Sequence, residues 1–229
     1  MLLRDLPNLY GIRDIQELNS LFTALAYNTG QEVSLEALSQ KSNVQKPTIR
    51  KYIEYLEAAF LIQSLYRVDQ SGKRFRRQTQ FKVYLTNPTM RAALFGELKA
   101  GQEGFGAVVE TGLIDQLFHS SQQLRYARWK DKEVDLVTLA RDTTPEDAIE
   151  VKWSNRPVRD NRLVSGLVTF CKSTGLDRAT CTTIDEWAEH EIKGITIQFV
   201  PAAIMAYHLG LRTLQQHGVR VEKIGQVSG

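Results

Sequence analysis

Four ionisable residues in the second half of the chain have the types and spacing of a hydrolytic site: Glu110, Asp135, Glu150 and Lys152. In Glu150-Val151-Lys152 two opposite charges stand at positions i and i+2, which lie on the same face of a strand. Asp135 is flanked by apolar residues in the segment 133–137. Charged groups in apolar surroundings are costly unless they are paired or bind a cation.

Carboxylates that converge on one point suit Mg²⁺ or Mn²⁺, which prefer oxygen ligands. We expect Asp135 and Glu150 to be metal ligands and Glu110 to be an additional or water-mediated ligand. Lys152 would then lie beside the attacking water and stabilise negative charge on a phosphate. The alternative is that Glu150 and Lys152 form an internal salt bridge, which needs no cation.

The elements that must position these residues are predicted from periodicity. Apolar residues at helical spacing place Glu110 on an amphipathic helix, and they are Val108, Val109, Leu113, Ile114, Leu117 and Phe118. Strands are predicted over 124–129, 133–139, 148–153 and 179–184, with a helix over 161–174. The order is α-β-β-β-α-β, in which the first three strands form a meander and the second helix is a crossover.

This arrangement resembles the nuclease superfamily named for its Pro-Asp…(Asp/Glu)-x-Lys motif, written PD-(D/E)xK. Asp135 matches the metal-binding aspartate, Glu150 with Lys152 matches (Asp/Glu)-x-Lys, and Glu110 matches the glutamate that many members carry on the first helix. The resemblance covers roughly 105–184 and implies a restriction-endonuclease-like fold.

The first half has the order of a winged helix-turn-helix. A helix is predicted from Asp14, a short one after the N-cap Ser34, and a third from Pro47. The apolar stripe of the third helix is Ile49, Ile53, Leu56, Ala59 and Phe60. Strands over 61–68 and 81–85 follow, and the loop between them would be the wing.

Ten basic and only three acidic residues lie between positions 41 and 82, which suggests a polyanion-binding module. The candidate DNA-binding residues are Lys46, Thr48, Arg50 and Lys51 near the start of the third helix, and Lys73, Arg74, Arg76 and Arg77 in the loop. The helix would face the major groove and the loop would contact phosphates. The alternatives are a winged helix that binds protein, or a solvated charged face.

The whole chain is similar to the C-terminal region of a large prokaryotic family of AAA-type ATPases, where a winged helix precedes a nuclease-like domain. The segments that carry the likeness include 46–57, 81–85, 109–111, 126–129, 133–137 and 149–152. Thr111 and Asn87 depart from the usual asparagine and aspartate. No Gly-x-x-x-x-Gly-Lys-Ser/Thr occurs, so the chain is not itself an ATPase; we expect a fragment or partner of one.

The resemblance implies a DNA-binding, nuclease-like part of an ATPase system, with an ATPase domain or subunit as partner and divalent-metal-dependent hydrolysis of DNA. The alternative is a non-catalytic DNA-binding or protein-interaction module that docks to an ATPase. The predicted organisation is a connector (1–12), a winged helix-turn-helix (13–86), a linker (87–104), a nuclease-like domain (105–207) and a C-terminal tail (208–229). The fold class is therefore α+β with α/β.

Composition excludes several classes of protein. With 29 basic and 26 acidic residues among 229, and 42% hydrophobic residues, the chain is typical of a soluble globular protein. No apolar run approaches the ~18 residues of a membrane span. Two cysteines and four scattered histidines show no zinc-site spacing. We expect a cytoplasmic protein.

Overall fold

The computed structural model describes residues 14–75, 79–118, 123–216 and 218. The predicted connector, 1–12, therefore lies outside the described residues, as do Arg76 and Arg77. The elements of the first half are α1 (Ile15–Tyr27), β1 (Glu32–Ser34), α2 (Leu35–Ser42), α3 (Lys46–Ala58), β2 (Ile62–Val68), β3 (Gln80–Leu85) and α4 (Thr89–Phe95).

Side-chain caps fix the starts of α1 and α2, and the cap predicted at Ser34 is confirmed. The Asp14 side chain accepts a hydrogen bond from the Glu17 backbone N–H at 2.9 Å, and Ser34 accepts one from the Ala37 N–H at 3.1 Å. Each bond satisfies an N–H group that has no partner within its helix. The predicted position of Phe60 on the buried stripe of α3 is wrong. Phe60 lies beyond the helix end at a φ of 55°, and 78% of its surface is exposed.

The elements of the second half are α5 (Phe105–Phe118), β4 (Gln123–Trp129), β5 (Lys132–Leu139), β6 (Pro145–Glu150), α6 (Arg156–Arg159), a 3₁₀ turn (Asn161–Val164), α7 (Ser165–Thr174), β7 (Arg178–Thr183), β8 (Ala188–Ile192), β9 (Ile195–Pro201) and α8 (Ala202–Gln216). The predicted order α-β-β-β-α-β is confirmed over α5 to β7. Two strands and a helix, β8, β9 and α8, were not predicted. The expected boundary between the domain and its tail, 207/208, falls within α8.

The strands form one mixed sheet in the order β1-β3-β2-β4-β5-β6-β7-β9-β8. The two halves meet where β2 pairs in parallel with β4, with Tyr66 opposite Arg125 and Val68 opposite Ala127. β5 and β6 are antiparallel, with Leu136 opposite Ile149, and β6 is parallel to β7. A single mixed α and β architecture therefore spans both predicted domains.

Three groups of buried apolar side chains support the sheet. One lies in the first half between α1, α2, α3 and the strands β2 and β3. A second packs α7 against β4 to β9. The third combines Leu65 and Tyr84 of the first half with Ile114 of α5, Leu136 of β5 and Met205 of α8. Because this last core draws on both halves, β3 is held directly against α5.

The loop between β2 and β3 was predicted to be a wing. The part of it that the structure describes is anchored to the second half of the chain. Gly72 has a φ of 77°, and a Cβ added there would lie 2.3 Å from the Pro145 Cγ atom. The Gln70 side chain donates a hydrogen bond to the Ser173 hydroxyl at 2.9 Å. Glycine is required at position 72 because both the backbone conformation and the close approach exclude a larger residue.

Candidate active site

A buried ammonium group, that of Lys82, lies at the centre of the carboxylates in the second half. Its Nζ atom is 2.5 Å from Glu133 Oε1, 3.4 Å from Glu110 Oε1 and 3.6 Å from Asp135 Oδ1. The side chain is only 4% exposed, and Nζ lies 5.5 Å from the centre of the Tyr126 ring. Burial opposes the charged form, but the three carboxylates outweigh it and raise the pKa of Lys82 above its usual range.

Glu110 reaches this centre from the second turn of α5. Its Oε1 atom accepts a hydrogen bond from the Tyr84 hydroxyl at 2.6 Å. The next residue of the helix, Thr111, is linked through its hydroxyl to Thr29 at 3.0 Å, which fixes α5 against the first half. Burial, followed by the charge of Asp135, raises the pKa of Glu110 to about 7 although Lys82 opposes the shift.

Asp135 and Glu150 lie side by side on neighbouring strands, as their antiparallel register requires. The Lys152 Nζ atom is 2.6 Å from Glu150 Oε1 and 3.7 Å from Asp135 Oδ2. Asp135 also accepts a hydrogen bond from the Val151 backbone N–H at 2.8 Å. The three predicted residues Asp135, Glu150 and Lys152 are thus brought together.

The predicted strand over 148–153 is too long at its end, because β6 stops at Glu150. The Val151 N–H donates to the Asp135 side chain instead of to a backbone carbonyl of a neighbouring strand. The Thr182 hydroxyl accepts from the Lys152 N–H and donates to the Lys152 carbonyl, both at 2.8 Å. Lys152 is therefore held by a buried threonine side chain of β7 rather than by strand pairing.

The second oxygen of Glu150, Oε2, is buried and has no hydrogen-bond partner among the described residues. A buried carboxylate oxygen without a donor is costly, so this atom points to a missing partner. Burial, followed by the charge of Asp135, raises the pKa of Glu150 to about 8 against the opposing effect of Lys152. An added cation would give this oxygen a partner and, by favouring the charged carboxylate, would oppose the rise in the pKa of Glu150.

These groups belong to one connected network of ion pairs, which we call the acidic network. Arg128 extends it, since its Nη1 atom lies 3.4 Å from Glu133 and 3.5 Å from Glu32. The members are five carboxylates and three cations: Glu32, Glu110, Glu133, Asp135, Glu150, Lys82, Arg128 and Lys152. When all are ionised the network carries an excess of two negative charges, which equals the charge of one Mg²⁺ or Mn²⁺ ion.

Within the described residues, Glu110, Asp135 and Glu150 do not converge on one cation-sized space, although the sequence predicted that they would. Asp135 and Glu150 share Lys152, whereas Glu110 and Asp135 share Lys82, so ammonium groups stand between the carboxylates. No group of three or more His, Cys, Asp or Glu side chains is arranged to hold a metal within that part of the chain. Since both contact Lys152, Asp135 Oδ2 and Glu150 Oε1 lie within roughly 6 Å, near enough for one cation to reach both after side-chain rotation.

Sequence reasoning did not identify Lys82, Tyr84, Glu133 or Thr182 as members of the site. Lys82 was counted with the surface basic residues of the first half. One signal was present, because Lys82 lies between the apolar residues Phe81 and Val83 on a strand that is otherwise largely apolar. A lysine in such a strand requires an acidic partner.

The candidate DNA-binding residues of the first half lie on α3 and the following hairpin. Arg50 and Lys51 are exposed and Thr48 is half-buried. Lys46 is also exposed but its ammonium is paired with Glu36 of α2. The structure therefore leaves Arg50 and Lys51 on the accessible surface of the predicted recognition helix.

In the loop after β2, Lys73 and Arg74 are exposed, and the Arg74 guanidinium donates a hydrogen bond to the Gln123 side chain. Asp69 accepts hydrogen bonds from the Ser71 and Lys73 backbone N–H groups at 2.8 Å and 3.0 Å, which closes the turn. Arg76 and Arg77 lie outside the described residues, so their predicted role stays a prediction.

Comparison with known proteins gives two matches. A family model described as a domain of unknown function (DUF8612) matches residues 1–101, which ends within the predicted linker. A protein of Haemophilus influenzae, described only as uncharacterized, is 24% identical over 147 residues. That match covers 62% of this chain and 36% of the relative, so the chain corresponds to a minor part of that protein's length.

No solved structure matches the chain. Within the described residues, none of the helices combines the length and the apolar character that crossing a membrane requires.

Proposed function

We propose that the acidic network is the active site of a divalent-metal-dependent enzyme that hydrolyses phosphodiester bonds in DNA. The observation that carries this proposal is the buried Glu150 Oε2 atom, which lacks a partner beside Asp135 in a network with excess negative charge. Mg²⁺ or Mn²⁺ would supply the missing positive charge, and carboxylate oxygens are the ligands these ions prefer.

The residues present fit such an ion in specific roles. Asp135 and Glu150 would hold it, and Glu110 would be the additional ligand. The bound cation would polarise the scissile phosphate and lower the pKa of a water molecule. Lys152, which is 37% exposed, can present its ammonium to an approaching phosphate. Lys82 is a positioning residue, because it is buried and holds Glu110, Glu133 and Asp135 in place.

DNA binding by the first half is supported by the order of its elements. Three helices, with β1 between the first two, precede the hairpin of β2 and β3, and the strand order β1-β3-β2 is consistent with the proposed winged helix. Arg50 and Lys51 on α3 would approach the groove, and Lys73 and Arg74 would contact phosphates together with Arg76 and Arg77.

The restriction-endonuclease-like character of the second half and the link to an AAA-type ATPase belong to the same proposal. They are supported by the sequence segments that resemble that family and occur in the same order along the chain. The α-β-β-β-α-β order of α5 to β7 supports them as well. An ATPase domain or subunit would be the partner, since the sequence contains no phosphate-binding loop of its own.

Plasmid cleavage tests the proposal directly. Wild-type protein with Mg²⁺ or Mn²⁺ is expected to nick supercoiled DNA, whereas Asp135→Asn and Glu150→Gln are expected to reduce nicking by at least about a hundredfold. Glu146→Gln is the matched control, because Glu146 lies on the same strand as Glu150 but is exposed. Equal nicking by Asp135→Asn and wild type, or none with either metal, would contradict catalysis.

DNA binding is tested separately by the dependence of affinity on salt. Contacts to several phosphates release counterions, so the affinity for duplex DNA should fall steeply as salt rises. Arg50→Ala and Arg74→Ala should each weaken binding and reduce the slope of log affinity against log salt by about 1. A shallow slope for wild type would contradict a phosphate-binding surface.

A second candidate is a non-catalytic DNA-binding or protein-docking module, and one contact favours it. Lys152 Nζ lies 2.6 Å from Glu150, so a salt bridge already neutralises this carboxylate. Calorimetric titration with Mn²⁺ separates the two candidates. The enzyme should bind about one ion and release protons, because Glu110 and Glu150 have raised pKa values. The non-catalytic module, in which Lys152 already pairs with Glu150, should bind no ion.

A further inference from the structure

A cavity that is separate from the acidic network opens between α7, the 3₁₀ turn and the tips of the β4–β5 and β8–β9 hairpins. Its volume is about 490 Å³, which is within the range of small-molecule sites. It is lined by Lys132, Asn161, Arg162, Ser165, Val168, Thr169, Lys172, Ser173, Ile192 and Lys193. No carboxylate belongs to this lining.

The charge of the cavity is positive and largely uncompensated. Among the described residues, Lys132, Lys172 and Lys193 make no ion pair. Lys132 Nζ instead donates a hydrogen bond to the Thr169 hydroxyl at 3.1 Å. Arg162 is paired with Asp160 at 2.8 Å. Three lysines that line one concave surface create a positive potential that concentrates anions.

The same cavity has an apolar side and neutral polar groups. Val168 and Ile192 are buried core residues that contribute to its wall. The hydroxyls of Ser165 and Thr169 lie beside them on the first turns of α7. A ligand that matches this surface has a compact anionic end and an apolar or planar body.

The cavity lies on the opposite side of the sheet from the acidic network. Lys132 and Glu133 are neighbours on β5, yet Lys132 contacts Thr169 of α7 while Glu133 contacts Lys82 of β3. Alternation along the strand therefore sends the two side chains to different faces. Occupation of the cavity does not require the hydrolytic reaction.

We propose that this cavity binds a phosphate-bearing small molecule of nucleotide size. Lys172 and Lys193 hold the phosphate with Lys132, and Val168 and Ile192 contact the body of the ligand. Lysine ammonium groups are strong donors to phosphate, and three of them can satisfy several phosphate oxygens at once.

Calorimetric titration of the full chain tests the proposal with three kinds of probe: the four nucleoside 5′-monophosphates, the matching unphosphorylated nucleosides, and inorganic phosphate. At least one monophosphate should bind at least tenfold more tightly than inorganic phosphate, and the nucleosides should not bind. Lys172→Gln and Lys193→Gln should each weaken binding about tenfold, the effect of losing one charge-assisted hydrogen bond.

The matched control is Lys41→Gln with Lys99→Gln, which removes two exposed lysines elsewhere on the surface. This double variant should bind the monophosphate as wild type does. Absence of binding by every probe, or equal binding by Lys172→Gln and wild type, overturns the proposal. Weaker binding of duplex DNA by Lys172→Gln with no monophosphate binding also overturns it, because the lysines would then belong to a DNA surface.

Discussion

Replacing Lys82 by methionine removes the central ammonium of the acidic network and keeps a side chain of similar length. Three carboxylates lie 2.5 Å to 3.6 Å from the lost charge, and the position is only 4% exposed. Removing one partner of a buried ion pair costs about 3–5 kcal/mol. With three carboxylates affected, we expect the free energy of unfolding to fall by about 5 kcal/mol at pH 8.

The loss of unfolding free energy in Lys82→Met should be smaller in mild acid. This dependence on pH separates an electrostatic cause from a packing cause. Burial, followed by the charge of Asp135, raises the pKa of Glu110 to about 7, so this partner of Lys82 takes up a proton between pH 8 and pH 5.5. Protonation removes the repulsion that Lys82 otherwise balances. At pH 5.5 we expect a loss of about 2 kcal/mol.

Urea unfolding followed by circular dichroism at pH 5.5 and pH 8 measures both values. Lys99→Met, at an exposed lysine, is the control and should change stability by less than about 0.5 kcal/mol. Adding Glu133→Gln to Lys82→Met should recover part of the loss, because it removes the carboxylate that lies closest to the lost ammonium. Equal losses at both pH values, or a loss below about 1 kcal/mol at pH 8, would refute the electrostatic reasoning.

Three further predictions follow from other features. Gly72→Ala should destabilise the protein by about 2–4 kcal/mol, since the added Cβ would meet Pro145. The control is Gly101→Ala, where φ is 91° but the added Cβ would meet no atom within 4 Å, and it should cost only about 1–2 kcal/mol. Equal losses of stability in thermal unfolding would contradict the contact with Pro145. Because the folded-state pKa of Glu150 is raised above 4.5, to about 8, stability should fall as pH rises through that interval. Glu150→Gln should flatten this decline in a series of urea titrations, and an unchanged slope would count against the shift. Ser34→Ala should cost about 1 kcal/mol through loss of the N-cap, measured by the urea midpoint, and a wild-type midpoint would exclude that role.

The local elements could be predicted because their signals are local. The caps of α1 and α2 and the helical spacing of Leu18, Leu21 and Leu25 depend on residues within one or two turns. The same holds for β2 to β5, whose short runs are rich in β-branched, aromatic and other apolar residues. The strand β8 was missed because its run Ala188-Glu189-His190-Glu191 carries few apolar residues. The strand β9 was missed although its sequence is apolar, with Ile195, Ile197 and Phe199 buried at alternate positions.

The centre of the candidate site could not be predicted, because it depends on strand pairing between distant parts of the chain. Lys82 meets Glu133 only because β3 and β5 are placed near α5 by the sheet order and the shared core. Counting charges along the sequence put Lys82 on the surface. The proximity of Asp135 and Glu150 was predictable, since these residues lie opposite each other on adjacent antiparallel strands. Lys152 lies beyond the end of β6 and is held by the Thr182 side chain, so its position does not follow from strand alternation.

The parallel pairing of β2 with β4 means that neither half of the chain is complete by itself. Residues 105–229 expressed alone would present the backbone of β4 as an open edge, which other strands can join, and would lose the only buried ammonium that faces Glu110 among the described residues. Any rearrangement that exchanges one half for a foreign module must therefore supply both a strand and a positive charge at the junction.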